Sequence, residues 1–203
     1  MHLVLANYRS GSARFCVDLA RDTRLELYGD LFSDQSKHDP AFVEKFCADL
    51  FDDKKPVPMA VVKCHPADVL KRPNGQELLN RLIHKSDKVY MFNRRSFDNI
   101  LKSMNIAECL KTAIDMAYNE ESTIAHSFYV PVTMFEKNYF KIMYGIVDLL
   151  RVYSKFKDQI ELLWYEDVFE NHGRLVRLVE ITNPTPPTNI NIQKMFDELQ
   201  LSR

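Results

Sequence analysis

The chain has 203 residues, 46% of them hydrophobic and 27% charged, with 27 basic side chains against 28 acidic ones. That length suits one domain around one core, and the near-balance of charge excludes the overall positive field by which a protein gathers nucleic acid. Five glycines argue against a turn-dense all-β fold, four scattered cysteines form no CxxC pair, and no run of about 18 apolar residues is present to span a bilayer.

The cysteines, Cys16, Cys47, Cys64 and Cys109, each fall in an apolar context. Buried, reduced thiols are therefore expected, with no disulfide frame and no metal site. No signal-like segment precedes the first apolar run, so the expected setting is cytoplasmic, with neither membrane nor nucleic acid as a partner.

His2 to Ala6 is a short apolar run suited to a buried parallel strand. Ser10-Gly11-Ser12 supplies small residues where the chain must turn, and Phe15, Cys16, Leu19 and Ala20 recur at helical spacing, so a helix opens at Ser12 or Ala13. Bare N–H groups, two hydroxyls and Arg9 at that helix start make a site for phosphate or sulfate. A capped helix start is the plainer alternative. With one glycine and no Gly-Lys-Ser/Thr, the segment is not a triphosphatase loop.

Arg24 to Tyr28 alternates as a strand, Gly29 to Phe32 reads as the turn leaving it, and Ser33 to Asp39 as a polar loop. Pro40 opens a helix that runs to Phe51 with Phe42, Phe46 and Leu50 on one stripe. Pro58 to Pro66 is an apolar strand whose end delivers Lys63 and His65, two residues apart and so on one face. In an open parallel sheet that end lies beside the ligand crevice.

Gly75 to His84 is a short amphipathic helix, and Lys88 to Asn93 is a strand that runs into Arg94-Arg95-Ser96. Phe97, Ile100, Leu101 and Met104 begin a helix expected to reach about Tyr118. A guanidinium at the strand end and the Ser103 hydroxyl about two helical turns later can address one phosphate, with Arg95 and Arg94 both candidates for the cation. Asn119 to Thr123 breaks the helix, and the loop from Glu120 to Pro131, with His126, Phe128 and Tyr129, either walls an acceptor pocket or packs on the core.

Pro131 starts the longest helix, to Phe156, and Ile160 to Tyr165 is the last strand. Asp167 is then expected to cap a helix over Val168 to Ile181, leaving Glu166 to hold a nearby basic side chain. Asn183 to Thr188 reads as extended, and Ile190 to Leu201 as a terminal helix. The alternation of strands and helices predicts a three-layer α/β/α fold, a single domain over 1–203 with a central, mostly parallel sheet of about five strands.

Four segments appear in a meaningful order: Tyr8-Arg-Ser-Gly-Ser12, Lys63-Cys-His65, Arg95 with Ser103 eight residues on, and Tyr165-Glu-Asp-Val168. Over residues 2–180 the chain resembles the sulfotransferases that use 3′-phosphoadenosine-5′-phosphosulfate (PAPS). The resemblance implies their P-loop-like fold and PAPS as co-substrate, without a metal. It assigns Arg9, Ser10, Gly11, Ser12, Ala13 and Arg14 to the 5′-phosphosulfate, and Arg95 with Ser103 to the 3′-phosphate. It makes His65 the base for the acceptor's proton, with Lys63 on the transferring group and Arg9 on the departing phosphate. The acceptor would be a small molecule or glycan offering a hydroxyl or amine.

Three departures accompany it. Ala13-Arg14 stands where many relatives have a hydroxyl and an apolar residue, Ser96-Phe97 where an acid and a proline are usual, and no Gly-rich basic loop is found near the C-terminus. A nucleotide or small-molecule kinase, and a non-catalytic module that binds an anion or a partner, are the other readings. The missing Gly-Lys-Ser/Thr and the lack of an acidic strand end placed for Mg²⁺ weigh against the kinase.

Overall fold

The chain runs β1 (His2–Ala6), α1 (Ser12–Thr23), β2 (Glu26–Asp30), α2 (Pro40–Phe51), β3 (Ala60–Cys64), α3 (Pro66–Leu70), α4 (Gly75–His84), β4 (Lys88–Asn93) and α5 (Phe97–Leu110). It continues through β5 (His126–Phe128), α6 (Val132–Phe156), β6 (Ile160–Trp164), α7 (Tyr165–Val168), β7 (Val179–Ile181) and α8 (Ile192–Leu201). This is a computed structural model, and it describes residues 1–33, 36–110, 126–169, 179–181 and 188–201.

Five strands form one all-parallel sheet in the order β2-β3-β1-β4-β6, as expected from the alternation of elements. β1 is central because it presents almost nothing to water: Leu3, Val4, Leu5 and Ala6 are all fully buried. Its alternate side chains serve two separate cores. Leu3 and Leu5 join Val62, Cys64, Val89 and Met91 under helices α2, α4, α5, α6 and α8, through residues such as Phe46, Leu79, Phe97, Ile142 and Phe196. Val4 joins Val61, Tyr90 and Phe92 on the opposite face, beneath Cys16 and Ala20 of α1 and Phe169. Helices on both faces of the sheet make the three layers, and each fully buried Leu, Ile or Phe contributes about 1.5–3 kcal/mol.

The long helix α6 crosses close over the end of β1. The Asn7 amide donates to the Ile142 carbonyl at 3.2 Å, and Gly145 makes the approach possible, since a Cβ there would lie 2.3 Å from Asn7 Oδ1. α8 closes the same side: Phe196 is fully buried edge-on to Tyr153 and Trp164, and the Ile192 N–H donates to the Arg95 carbonyl at 3.0 Å.

Several boundaries differ from the sequence expectation. β2 covers 26–30 rather than 24–28, because Arg24 closes α1 in a left-handed conformation (φ 57°) and parallel pairing with β3 extends through a bulge to Asp30 opposite Lys63. Gly29 and Asp30 are thus the strand's end and not a turn. The single turn α7 begins at Tyr165, so Asp167 lies inside a helix and does not cap one, and Val179–Ile181 is a strand paired with β5 where a helix was expected. The expected helical stretch beyond Leu110, the break at Asn119 to Thr123 and most of Asn183 to Thr188 lie outside the described residues. Among the described residues no helix is long and apolar enough to cross a membrane.

Candidate functional site

Parallel strands deliver all their C-terminal ends to one edge of the sheet. Chain leaving β1 goes to one side, toward β2, and chain leaving β4 goes to the other, toward β6, so the order reverses between β1 and β4. A ligand crevice belongs at that reversal.

The turn after β1 is built for it. Arg9 (φ 57°) and Gly11 (φ 89°) are both left-handed, and Asn7 Oδ1 accepts from the Tyr8 N–H at 2.8 Å. Gly11 is required twice over, because its φ suits glycine and because a Cβ would fall 2.3 Å from the Tyr165 ring. α1 then starts with no side-chain cap and no acid in its first turn, which leaves its N–H groups and positive dipole end for an anion. Ser10 is fully buried, and its Oγ has no hydrogen-bond partner among the described residues. Ser12 is buried beside it, whereas Arg14 is turned outward, over the Phe169 ring and loosely paired with Asp18.

The two arginines after β4 separate. Arg95 faces away from the turn: its Nε donates to Gln193 and its Nη2 to Asp167, both at 2.6 Å. Its backbone N–H is held by the Glu166 carboxylate, and Asp167, expected as a helix cap, takes the Arg95 side chain instead. Arg94 faces inward, its guanidinium 4.1 Å from the centroid of the Tyr165 ring that covers Gly11. Its Nε is buried without a hydrogen-bond partner among the described residues. Of the two candidates for a phosphate cation, Arg94 lies by the turn, and Arg95 does not.

Ser103 also faces the turn, since Arg9 Nε donates to its hydroxyl at 3.3 Å. Burial lowers the pKa of Arg9, and the like charge of Arg94 lowers it further. Burial likewise lowers that of Arg94, opposed by Tyr165 and Glu166. Two guanidiniums that repel each other in a partly buried place give an arrangement that an anion relieves.

At the end of β3, Lys63 and His65 are both buried and both converge on Asp30. Lys63 Nζ donates to Asp30 Oδ2 at 2.9 Å. His65 Nδ1 lies 2.8 Å from the Ala6 carbonyl, which can only accept, so Nδ1 carries the proton and Nε2 is the basic atom. Nε2 sits 3.3 Å from Asp30 Oδ1, an ion-pair distance when the ring is protonated, though short of an aligned hydrogen bond. The ring stacks on Tyr8 at 4.1 Å, and the Tyr8 hydroxyl donates to Asp68 at 2.9 Å. Burial would raise the pKa of Asp30, but the contact with His65 and the charge of Lys63 outweigh it and hold the carboxyl down at about 2.

Asp30 is the functional candidate that sequence reasoning passed over, having been placed in a turn. No local pattern marked it, because the strand reaches Asp30 only through the bulge in its pairing with β3. The side chains of His126 and Phe128, expected in an acceptor loop, lie outside the described residues. Tyr129 is exposed. Among the described residues no group of three or more His, Cys, Asp or Glu side chains is disposed to hold a metal ion. No family model matches the chain, and no curated protein matches it.

Proposed function

We propose that the chain is a PAPS-dependent sulfotransferase that transfers the sulfuryl group to a hydroxyl or amine acceptor, a small molecule or glycan. One observation carries the reading: at the reversal between β1 and β4, Arg9, Arg94 and Ser103 gather around an uncapped helix start. The buried Ser10 Oγ and Arg94 Nε at the same place, which have no hydrogen-bond partner among the described residues, fit a doubly anionic nucleotide. Arg9, Ser10, Gly11, Ser12, Ala13 and Arg14 would hold the 5′ end through backbone N–H groups and the Arg9 charge. Arg94 replaces Arg95 beside Ser103 as the cation for the 3′-phosphate.

PAPS supplies the activated sulfuryl group when bound. The chain's own part is to place cations and N–H donors where negative charge develops on the departing side, an effect worth several kcal/mol of barrier. His65 Nε2 is the base for the acceptor's proton, and the neighbouring Lys63 ammonium steadies the group in transit. A cytoplasmic setting belongs to the same proposal.

Titration of the full chain with adenosine 3′,5′-bisphosphate, in buffer without divalent metal, tests this. Micromolar binding that does not need Mg²⁺ supports the transferase. A requirement for Mg·ATP points to a kinase, and no affinity for either nucleotide leaves an anion- or partner-binding module.

A further inference from the structure

Asp30 holds an unusual position. Its side chain is 41% exposed, while the Lys63 and His65 side chains behind it are 8% and 9% exposed. A half-exposed carboxylate thus stands in front of a buried cation and of the imidazole nitrogen that the Ala6 carbonyl leaves unengaged. One oxygen takes the ammonium and the other faces the imidazole atom that is free to accept a proton.

We propose that Asp30 is the positioning residue of the Lys63–His65 pair: it anchors the Lys63 ammonium and stabilises the proton that His65 Nε2 takes from the acceptor. The inference rests on the sulfotransferase reading given above. As the acceptor's O–H or N–H bond breaks, its electron pair stays on the acceptor atom to bond to sulfur, while the bond from sulfur to the bridging phosphate oxygen breaks and its pair leaves with the nucleotide. The proton goes to Nε2, where the Asp30 carboxylate compensates the new charge, and then leaves to water on the carboxylate's open side. Asp30 itself is too weak a base for the first step, being ionised down to acid pH.

The remaining groups around the pair leave this task to Asp30. Tyr8, from the turn after β1, stacks on the imidazole but spends its hydroxyl on Asp68 of α3. Lys141 of α6 lies over the Tyr8 ring at 4.2 Å and adds positive charge. From α1, Cys16 is held as a neutral thiol by burial. Asp30 is the carboxylate in contact with both Lys63 and His65 among the described residues.

Asp30→Asn, which keeps the shape and removes the charge, and Asp30→Glu, which keeps the charge, are compared with the parent chain. Slow hydrolysis of PAPS, with water as the acceptor, gives a turnover that needs no knowledge of the natural acceptor. For Asp30→Asn we expect turnover to fall about tenfold or more, as suits loss of support to a general base, with bisphosphate affinity within about twofold of the parent. Asp30→Glu should recover part of the turnover.

Unchanged turnover in Asp30→Asn, or no recovery of turnover in Asp30→Glu, overturns the inference. So does a parallel loss of bisphosphate affinity and thermal stability, which would make Asp30 a structural ion-pair partner only. Failure of the parent itself to bind the bisphosphate sinks the sulfotransferase reading and this role with it. Normal parent binding with an indifferent Asp30→Asn variant sinks this role alone.

Discussion

Arg9 Nε and Ser103 Oγ, 94 positions apart in the chain, share a hydrogen bond of 3.3 Å that ties the turn after β1 to the inner face of α5. If that face and that turn grip one phosphate, Ser103→Ala removes one donor and loosens Arg9 as well. A charge-assisted hydrogen bond is worth about 1.5–3 kcal/mol, so affinity for adenosine 3′,5′-bisphosphate should fall roughly ten- to a hundredfold by calorimetry.

The adjacent arginines give an internal control. Arg94→Gln should cost a similar factor in bisphosphate affinity. Arg95→Gln should leave that affinity within about threefold and change thermal stability little, because its Asp167 partner is 57% exposed and water screens the pair. Equal losses in the two variants would mean that the phosphate is not held at the reversal between β1 and β4.

Gly11→Ala tests the turn by folding alone. The added Cβ enters the Tyr165 ring and strains a φ of 89°, and a non-glycine left-handed residue costs of order 1–3 kcal/mol before the clash is counted. Chemical denaturation should show a loss of that size or more, and bisphosphate affinity should drop with it.

Gly145→Ala sets two effects against each other. Alanine in a helix interior gains about 1 kcal/mol of propensity over glycine, but the Cβ would lie 2.3 Å from Asn7 Oδ1, which is held by its own hydrogen bonds. Overpacking of a fixed neighbour costs about 1–3 kcal/mol, so the net change measured by denaturation should be destabilising. A more stable variant would mean that Asn7 yields easily.

Asp30 and Cys16 each contribute to the pH dependence of stability. The Asp30 carboxyl is held at about 2 against an ordinary 3.8, so its contribution is complete above the ordinary value and is lost as the pH falls from there to about 2. Acid unfolding of Asp30→Asn should lack that component. At the other end burial pushes the Cys16 thiol from 9.0 up to about 12, so its contribution is complete below 9.0 and is lost as the pH rises toward 12. Cys16 and Cys64 should accordingly resist iodoacetamide in the native protein at neutral pH, while half-buried Cys47 reacts.

The layered fold, its five parallel strands and the positions of Arg9, Lys63, His65 and Ser103 at strand ends or on one helix were legible from the amino-acid order alone. Those features follow from local periodicity: runs such as Leu3 to Ala6 tolerate no water on either face, and stripes such as Phe97, Ile100, Leu101 and Met104 have one buried side. Which of Arg94 and Arg95 turns toward the start of α1 was not legible, because neighbouring residues leaving a strand diverge, and the packing of Trp164, Asp167 and Gln193 around Arg95 is what turns it away. Asp30 was hidden for the same reason. Its strand is lengthened by pairing with β3 and its carboxylate is fixed by Lys63 and His65, contacts made by residues more than thirty positions away that no local pattern records.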